Sequence, residues 1–200
     1  MLRKLMVLAI GCTALVAGPA RAEFTGGVVR IGVLNDQSGI YADMSGPGSV
    51  AAAKIAVEEF GGKIGNTPIE VIFGDHQNKP DIGLNIARQW LDVGNVDMIV
   101  DLTNSSIALA AAGLVKEKNK VAVITTSNSN RLTGDACSPN HTQWVLDNYS
   151  LAKSTGSQVV KAGGDSWFFI TADYAFGHAL EREAGQVVKT AGGTVLRGVR

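Results

Sequence analysis

The chain has 200 residues, with 18 Lys and Arg against 18 Asp and Glu, three His and two Cys. A balanced charge without a basic cluster excludes a nucleic-acid partner held by electrostatics, and two cysteines exclude a disulfide scaffold. With 46% hydrophobic residues, the chain can bury the core of one domain or slightly more.

The first 22 residues read as a secretory signal peptide. Arg3 and Lys4 form a positive n-region, Leu5 to Val16 an apolar h-region too short for a membrane span, and Ala20-Arg21-Ala22 a small-residue cleavage site. Cleavage near Ala22 removes Arg3, Lys4 and Arg21, which leaves 15 basic against 18 acidic residues, a net charge of −3. Gly11-Cys12 is an alternative, lipoprotein-like site, but Ala9 fits poorly three residues upstream. No later stretch reaches the roughly 18 apolar residues of a spanning helix. The expectation is an exported, soluble product, periplasmic in a Gram-negative cell. Cys137 is then the remaining cysteine, either buried and inert or paired with a partner elsewhere. His76, His141 and His178 match no zinc spacing; no metal and no cofactor is expected.

After the leader, short apolar runs alternate with amphipathic stretches. Val28 to Leu34 reads as a buried strand, followed by a Gly- and Ser-rich loop from Asn35 to Gly48. Ser49 to Phe60 reads as a helix with Val50, Ala53, Val57 and Phe60 on one face, stopped by Gly61-Gly62. Ile69 to Phe73 is the second strand. Asp81 is the expected cap of a second helix that aligns Ile82, Ile86 and Trp90. Met98 to Val100 is a third strand, Ser105 to Asn119 an Ala-rich helix with Asn104 or Ser105 near its N-cap, and Val121 to Ile124 a fourth strand. This βαβαβαβ order demands a doubly wound parallel sheet with helices on both faces, an α/β fold.

The rhythm then breaks. Thr125 to Asn140 reads as a long polar loop and Thr142 to Ala162 as a helix carrying Trp144, Val145 and Tyr149. Trp167 to Thr171 starts a fresh strand, Ala175 to Ala191 is a helix, and Thr194 to Val199 is another strand. Two strands and one full helix are too little for a core of their own. The expectation is a two-lobed protein of which this chain is a fragment or a truncated product, with residues 23–145 as the first part of one lobe and 146–200 as the start of another.

Ligands of open parallel sheets bind beyond the carboxyl ends of the strands. The loops there are rich in hydroxyls and amides: Asn35 to Met44, Gly74 to Asn78, Asp101 to Ser106, Thr125 to Asn130, and Ala172 to Gly177. Asn104-Ser105-Ser106 opens a helix directly after a strand, where free backbone N–H groups and the helix dipole favour an anion such as a carboxylate; an ordinary helix cap has the same sequence. Thr125 to Ser129 can add hydroxyls to the same ligand. Tyr41, Tyr174 and Phe176 can wall an apolar or aromatic side chain, or simply pack within their loops. Enzyme signatures are missing: Gly46-Pro47-Gly48 is a poor dinucleotide fingerprint, and there is no phosphate loop, nucleophile elbow or zinc helix.

Several segments in order resemble the periplasmic substrate-binding proteins of branched-chain amino acid type ABC transporters, which have the type I periplasmic-binding fold. They are VRIGVLNDQSGIYADMSGPGSVAAAKIAVEEFGG (Val29 to Gly62), IEVIFGDHQNKPDIG (Ile69 to Gly83), TNSSIALA, ITTSNSNRLTG and ITADYAFGHALEREA. DYAFG, with the Cys137 to Trp144 segment, looks most like the branch that takes up aromatic or other organic carboxylates. The resemblance implies a Rossmann-like lobe, a second α/β lobe, closure by a hinge, delivery to the membrane permease of an ABC importer, and no catalysis. It assigns Asn104 and Ser105, with Ser127, Asn128 and Ser129, to the ligand carboxylate. It assigns Phe176, with Tyr174 nearby, to an aromatic clamp, and Ser38, Tyr41 and Met44 to the cover of the ligand side chain. Some members join the loops after the second and third strands by a disulfide; Asn78 and Thr103 stand there in this chain. The resemblance also implies a length about twice this one. The competing reading is an extracellular sensory domain that reports its ligand to a signalling partner.

Overall fold

A computed structural model describes residues 24–200. The leader, Cys12 and the cleavage site near Ala22 lie outside the described residues. The elements in chain order are β1 (Val29–Asn35), α1 (Gly46–Glu59), β2 (Lys63–Ile64), β3 (Thr67–Asp75), α2 (Pro80–Asp92), β4 (Met98–Asp101), α3 (Ser105–Glu117), β5 (Val121–Ile124), β6 (His141–Gln143), α4 (Asn148–Lys161), β7 (Ser166–Ile170), α5 (Ala175–Thr190) and β8 (Thr194–Val199). No helix among the described residues is long and apolar enough to cross a membrane.

Six strands form one sheet in the order β2-β3-β1-β4-β5-β6. All of its pairs are parallel except the short β2–β3 hairpin. The chain runs from β1 outward to β3, then crosses to β4 on the other side of β1. The strand order therefore reverses between β1 and β4, the crevice where doubly wound sheets bind ligands.

Period-two alternation sorts the strand residues to the two faces. Leu34, Ile99, Ala122 and Ile124 join Ala87, Leu91, Ile107, Ala108, Ala111 and Val115 in the core under α2 and α3. Gly32 in β1 and Gly74 in β3 make room for the indole of Trp90. A Cβ on Gly32 would lie 2.5 Å from its ring and one on Gly74 2.9 Å away. Ile107 of α3 rests in the same way on Gly83 of α2. Full burial of a side chain the size of Ile107 stabilises by about 1.5–3 kcal/mol. On the opposite face, α1 leaves an apolar cavity of about 610 Å³ against Ile31, Val33, Met98, Val100 and Val123.

Four sequence expectations need correction. The predicted helix from Thr142 is a strand up to Gln143, and α4 begins only at Asn148, where Asp147 caps it by accepting from the Ser150 N–H. Trp144 and Val145 lie between the two elements, since Thr142 pairs with Val123 at the sheet edge. Asp81 is inside the first turn of α2, whose N-cap is Lys79, because Pro80 supplies the preset φ of a first helical residue. Pro47 likewise lets α1 start at Gly46 rather than Ser49. Cys137 is exposed, so the buried, inert alternative is wrong.

β7 and β8 form a separate parallel pair, covered on one side by α5, which packs against α4.

Candidate functional site

The carboxyl ends of β1, β3, β4 and β5 carry a dense polar network. Its hub is Asp101, the last residue of β4. One carboxylate oxygen accepts from Asn35 Nδ2 at 2.8 Å across the β1–β4 crevice, and the other from Thr125 Oγ1 at 2.9 Å and Thr126 Oγ1 at 2.8 Å. Asn35 and Asp101 are both buried, so the bond between them is made away from competing water. The sequence reading placed Asp101 in a loop but gave it no role. Nothing in its local sequence distinguishes it, because its three partners come from β1 and from the β5 end.

The backbone is strained along this edge. Gln77, Asn78, Asp101 and Leu102 have φ of 51°, 53°, 81° and 61°. A fully buried Leu102 in this region is an outlier of the kind found where loops are over-determined by their surroundings. The surroundings are visible. Asp75 Oδ1 accepts from the Gln77 N–H at 2.8 Å, and His76 Nδ1 accepts from the Asn78 N–H at 3.0 Å. Leu102 donates its N–H to the Leu34 carbonyl.

Asn104 is the N-cap of α3. Its side-chain oxygen accepts from the N–H groups of Ser106 at 2.8 Å and Ile107 at 3.3 Å, and its amide donates to Asn78 Oδ1 at 2.7 Å. The loops after β3 and β4 are thus joined by a hydrogen bond between two amides. Two of the N–H groups expected to face an anion are taken by this cap. Ser105 is also committed internally: it and Ser127 are fully buried, and their hydroxyls lie 2.9 Å apart. Ser129 is buried beside them, and its carbonyl receives Gln143 Nε2. Asn128 reaches instead toward the segment before α4, donating to the Leu146 carbonyl at 2.5 Å and receiving the Asn148 N–H.

The β1–α1 loop rises over this floor. Ser38 Oγ donates to Asp75 Oδ2 at 2.5 Å, and Met44 is 61% exposed. Tyr41 leans across to the second unit, where its phenol oxygen lies 2.7 Å from that of Tyr174. The Tyr174 ring is 6.0 Å from Phe176. Phe176 turns toward a 490 Å³ apolar cavity lined with Leu151, Trp167, Phe169 and Leu180, between α4, β7 and α5. The structure therefore brings together Ser105 with Ser127 and Tyr41 with Tyr174, while Ser38, Met44 and Asn128 stand in separate surroundings.

Three ionisable groups at this edge are displaced from their ordinary values. Burial pushes the His76 imidazole down, against the pull of the Asp36, Asp75 and Asp101 carboxylates. Burial alone would raise the Asp75 carboxyl, but hydrogen bonds from Ser38, Gln37 and Gln77, with the charge of His76, hold it below the usual carboxylate range. Burial and the bond to Tyr41 push the Tyr174 phenol well up. The His76 ring is fully buried, while the Asp75 carboxylate next to it in sequence is bonded to Ser38. No cluster of three or more metal-ligating side chains occurs among the described residues.

Against known proteins, the sequence profile of the periplasmic binding proteins matches residues 28–200. The chain belongs to the periplasmic binding protein family. A periplasmic binding protein from Burkholderia mallei is 48% identical and superposes with a TM-score of 0.83, over 87% of this chain and 46% of its own. A branched-chain amino acid ABC transporter periplasmic ligand-binding protein from Burkholderia xenovorans is 36% identical, with a TM-score of 0.70, over 86% of this chain and 46% of its own. A solute-binding protein of an ABC transporter from R. palustris, solved with benzoate, shares the fold at 21% identity and a TM-score of 0.78, over 86% of this chain and 48% of its own. The chain spans about half the length of these solved proteins. No curated protein sequence matches it. These family members bear out the α/β, parallel-sheet reading and the family resemblance of the sequence.

Proposed function

We propose that this chain is the solute-binding part of an ABC importer, exported to the periplasm by its leader and delivering its ligand to a membrane permease. The ligand is a small carboxylate, a branched-chain amino acid or an aromatic acid, held between a lobe of which residues 23–145 are the first part and a lobe of which 146–200 are the start. The observation that supports this reading best is the crevice between β1 and β4. The buried Asn35–Asp101 bond forms its floor, the start of α3 one wall, and the Tyr41–Tyr174 pair its roof. The two ligand classes come from the family members solved from B. xenovorans and R. palustris.

Recognition would be binding without turnover. The α3 dipole favours an anion at Asn104 and Ser105, and the hydroxyls of Ser127 and Ser129 lie on the adjoining loop. Because the cap and the Ser105–Ser127 bond already occupy several donors, the carboxylate must be met by exchange of these bonds.

The test is thermal stability of the full-length protein with leucine or benzoate. A ligand at a hundred times its Kd adds about 2.7 kcal/mol to the native state, a clear upward shift of Tm. A folded protein that shifts with neither would overturn this choice of ligand classes. In a protein that does respond, Ser105→Ala, which removes the hydroxyl without adding volume to a buried position, should reduce the shift strongly. Unchanged binding would remove Ser105 from the site.

A further inference from the structure

We propose that the hydrogen bond between Tyr41 and Tyr174 is a latch that holds the cleft closed, and that it biases the protein toward the closed form before any ligand enters. The inference rests on the reading of the β1–β4 crevice as the ligand cleft. The two phenols are 133 residues apart in sequence and stand on loops that follow strands of different sheets. Away from them, the two units meet where α3 packs against α5 and at the main chain between Gln143 and Asn148, where Asn128 donates to the Leu146 carbonyl and receives the Asn148 N–H. The latch is separate from both, and rotation of one phenol undoes it while the crossover and the α3–α5 contact remain.

Each side of the latch is preset. The buried Asp36 carboxylate accepts from the N–H groups of Gly39 at 2.7 Å and Tyr41 at 3.0 Å, which fixes the turn that carries the phenol. A side chain at position 39 would lie 2.6 Å from those carboxylate oxygens, so the turn needs glycine. The Tyr41 carbonyl then receives the N–H groups of Met44 and Ser45, and Ser45 Oγ bonds Thr103 Oγ1 at 2.6 Å, tying the loop to the start of α3. On the other side, Tyr174 has an extended backbone at the N-cap of α5. The turn before it is so tight that a Cβ on Gly177 would meet the Ala172 carbonyl at 2.0 Å. Two immobile supports leave the phenol pair little entropy to lose on bonding.

A phenol–phenol bond suits a latch because each hydroxyl donates or accepts, and water replaces it when the cleft opens. With its ionisation pushed up, Tyr174 stays a neutral donor through the physiological range. The consequence for binding is quantitative. If only the closed form binds, apparent affinity scales with the closed fraction, so weakening the latch weakens every ligand by one common factor.

The test is the distance between the two units in the ligand-free, full-length protein. Spin labels go on Lys116→Cys in α3 and on Lys189→Cys in α5, with the native cysteines replaced by serine, and double electron–electron resonance reads their distance distribution. Tyr41→Phe and Tyr174→Phe keep both rings and should each lower the closed-to-open ratio about two- to tenfold, the range of one net hydrogen bond. The double variant should fall no further than either single one, because both remove the same bond. An unchanged distribution in the single variants, or a double variant that falls by the product of the two, overturns the latch. Since no ligand is present, this outcome is independent of the leucine and benzoate shifts that test the cleft itself.

Discussion

The two sheets are written in the same sequence pattern and end in different states. Val29 to Asn35 and Ser166 to Ile170 are both apolar runs that feed a loop and a helix. In the six-stranded sheet, Val33, Leu34, Ile99 and Ile124 have no exposed surface. In the β7–β8 pair, Phe168, Ile170 and Leu196 are 51%, 88% and 67% exposed. A local run of β-branched and aromatic residues specifies a strand, but burial of both faces of a parallel sheet is a property of its neighbours. The difference lies in the neighbours that the described residues supply: the chain spans about half the length of its relatives, and α5 is what covers the β7–β8 pair here.

The largest effects should mark this contrast. Ile107→Ala, at the contact of α3 with Gly83 of α2, should cost about 2–5 kcal/mol in urea unfolding of the chain. Leu196→Ala should stay within about 0.5 kcal/mol in the same chain, as an exposed substitution does. Equal losses at the two positions would mean that the exposed face of β8 is packed in solution.

Protonation separates the two regions next. His76 is buried at the edge of the first sheet, facing Asp36, Asp75 and Asp101, and burial lowers its pKa. The unfolded chain, with an ordinary His value of about 6.5, therefore binds a proton first as pH falls. His76 costs nothing above that pH and destabilises the fold progressively below it, until the folded form also protonates. The slope cannot exceed one proton, about 1.4 kcal/mol per pH unit. Tm measured between pH 8 and 5 should fall less steeply in His76→Gln. Identical slopes would show that His76 is not the group being titrated. In the second unit, His178 lies at the surface, its Nε2 2.8 Å from Asp173 Oδ1.

Helix capping gives a smaller effect. Asn104→Ala removes the two bonds to the first turn of α3 and the tie to Asn78, and should cost about 1–2 kcal/mol by urea titration. A loss of a few tenths would mean that water replaces the cap and that the tie to Asn78 carries nothing.

Much of the first sheet was legible because the signals are local. Alternation marked the strands, and glycines and prolines marked the turns. Asn104 was readable as a cap because it stands immediately before a run of helix formers. Thr142 was misread because a three-residue edge strand has no period of its own, and its assignment depends on pairing with Val123. The site was legible only as a set of loops. That Asp101 would bond Asn35 and two threonines, that Ser105 would be sealed against Ser127, and that Tyr41 would reach Tyr174 are facts of register and crossing chain. No spacing within a loop encodes them. The ten residues singled out share the loop ends of the sheets, but their side chains divide between a sealed floor, a roof and an apolar cavity.

The smallest prediction compares one glycine from each region. Gly113 lies on the exposed side of α3 with open space where a Cβ would stand, so Gly113→Ala gains helix propensity without a clash. It should stabilise the chain by about 0.5–1 kcal/mol. Gly156 lies inside α4 where that helix meets α5, and a Cβ there would be 3.2 Å from Val187 Cγ1. The same propensity gain is then offset by a contact that must yield by a few tenths of an ångström, and Gly156→Ala should come out near zero. The propensity term is common to both, so the difference between the two variants measures how rigidly α5 is held against α4. A Gly156→Ala protein as stable as Gly113→Ala would mean that α5 moves aside freely, and that the second unit is looser than its close helix approach indicates. A clear loss at Gly156 would mean that the pair is as rigid as the core beneath α2 and α3, and that the contrast between the two regions is confined to their sheets.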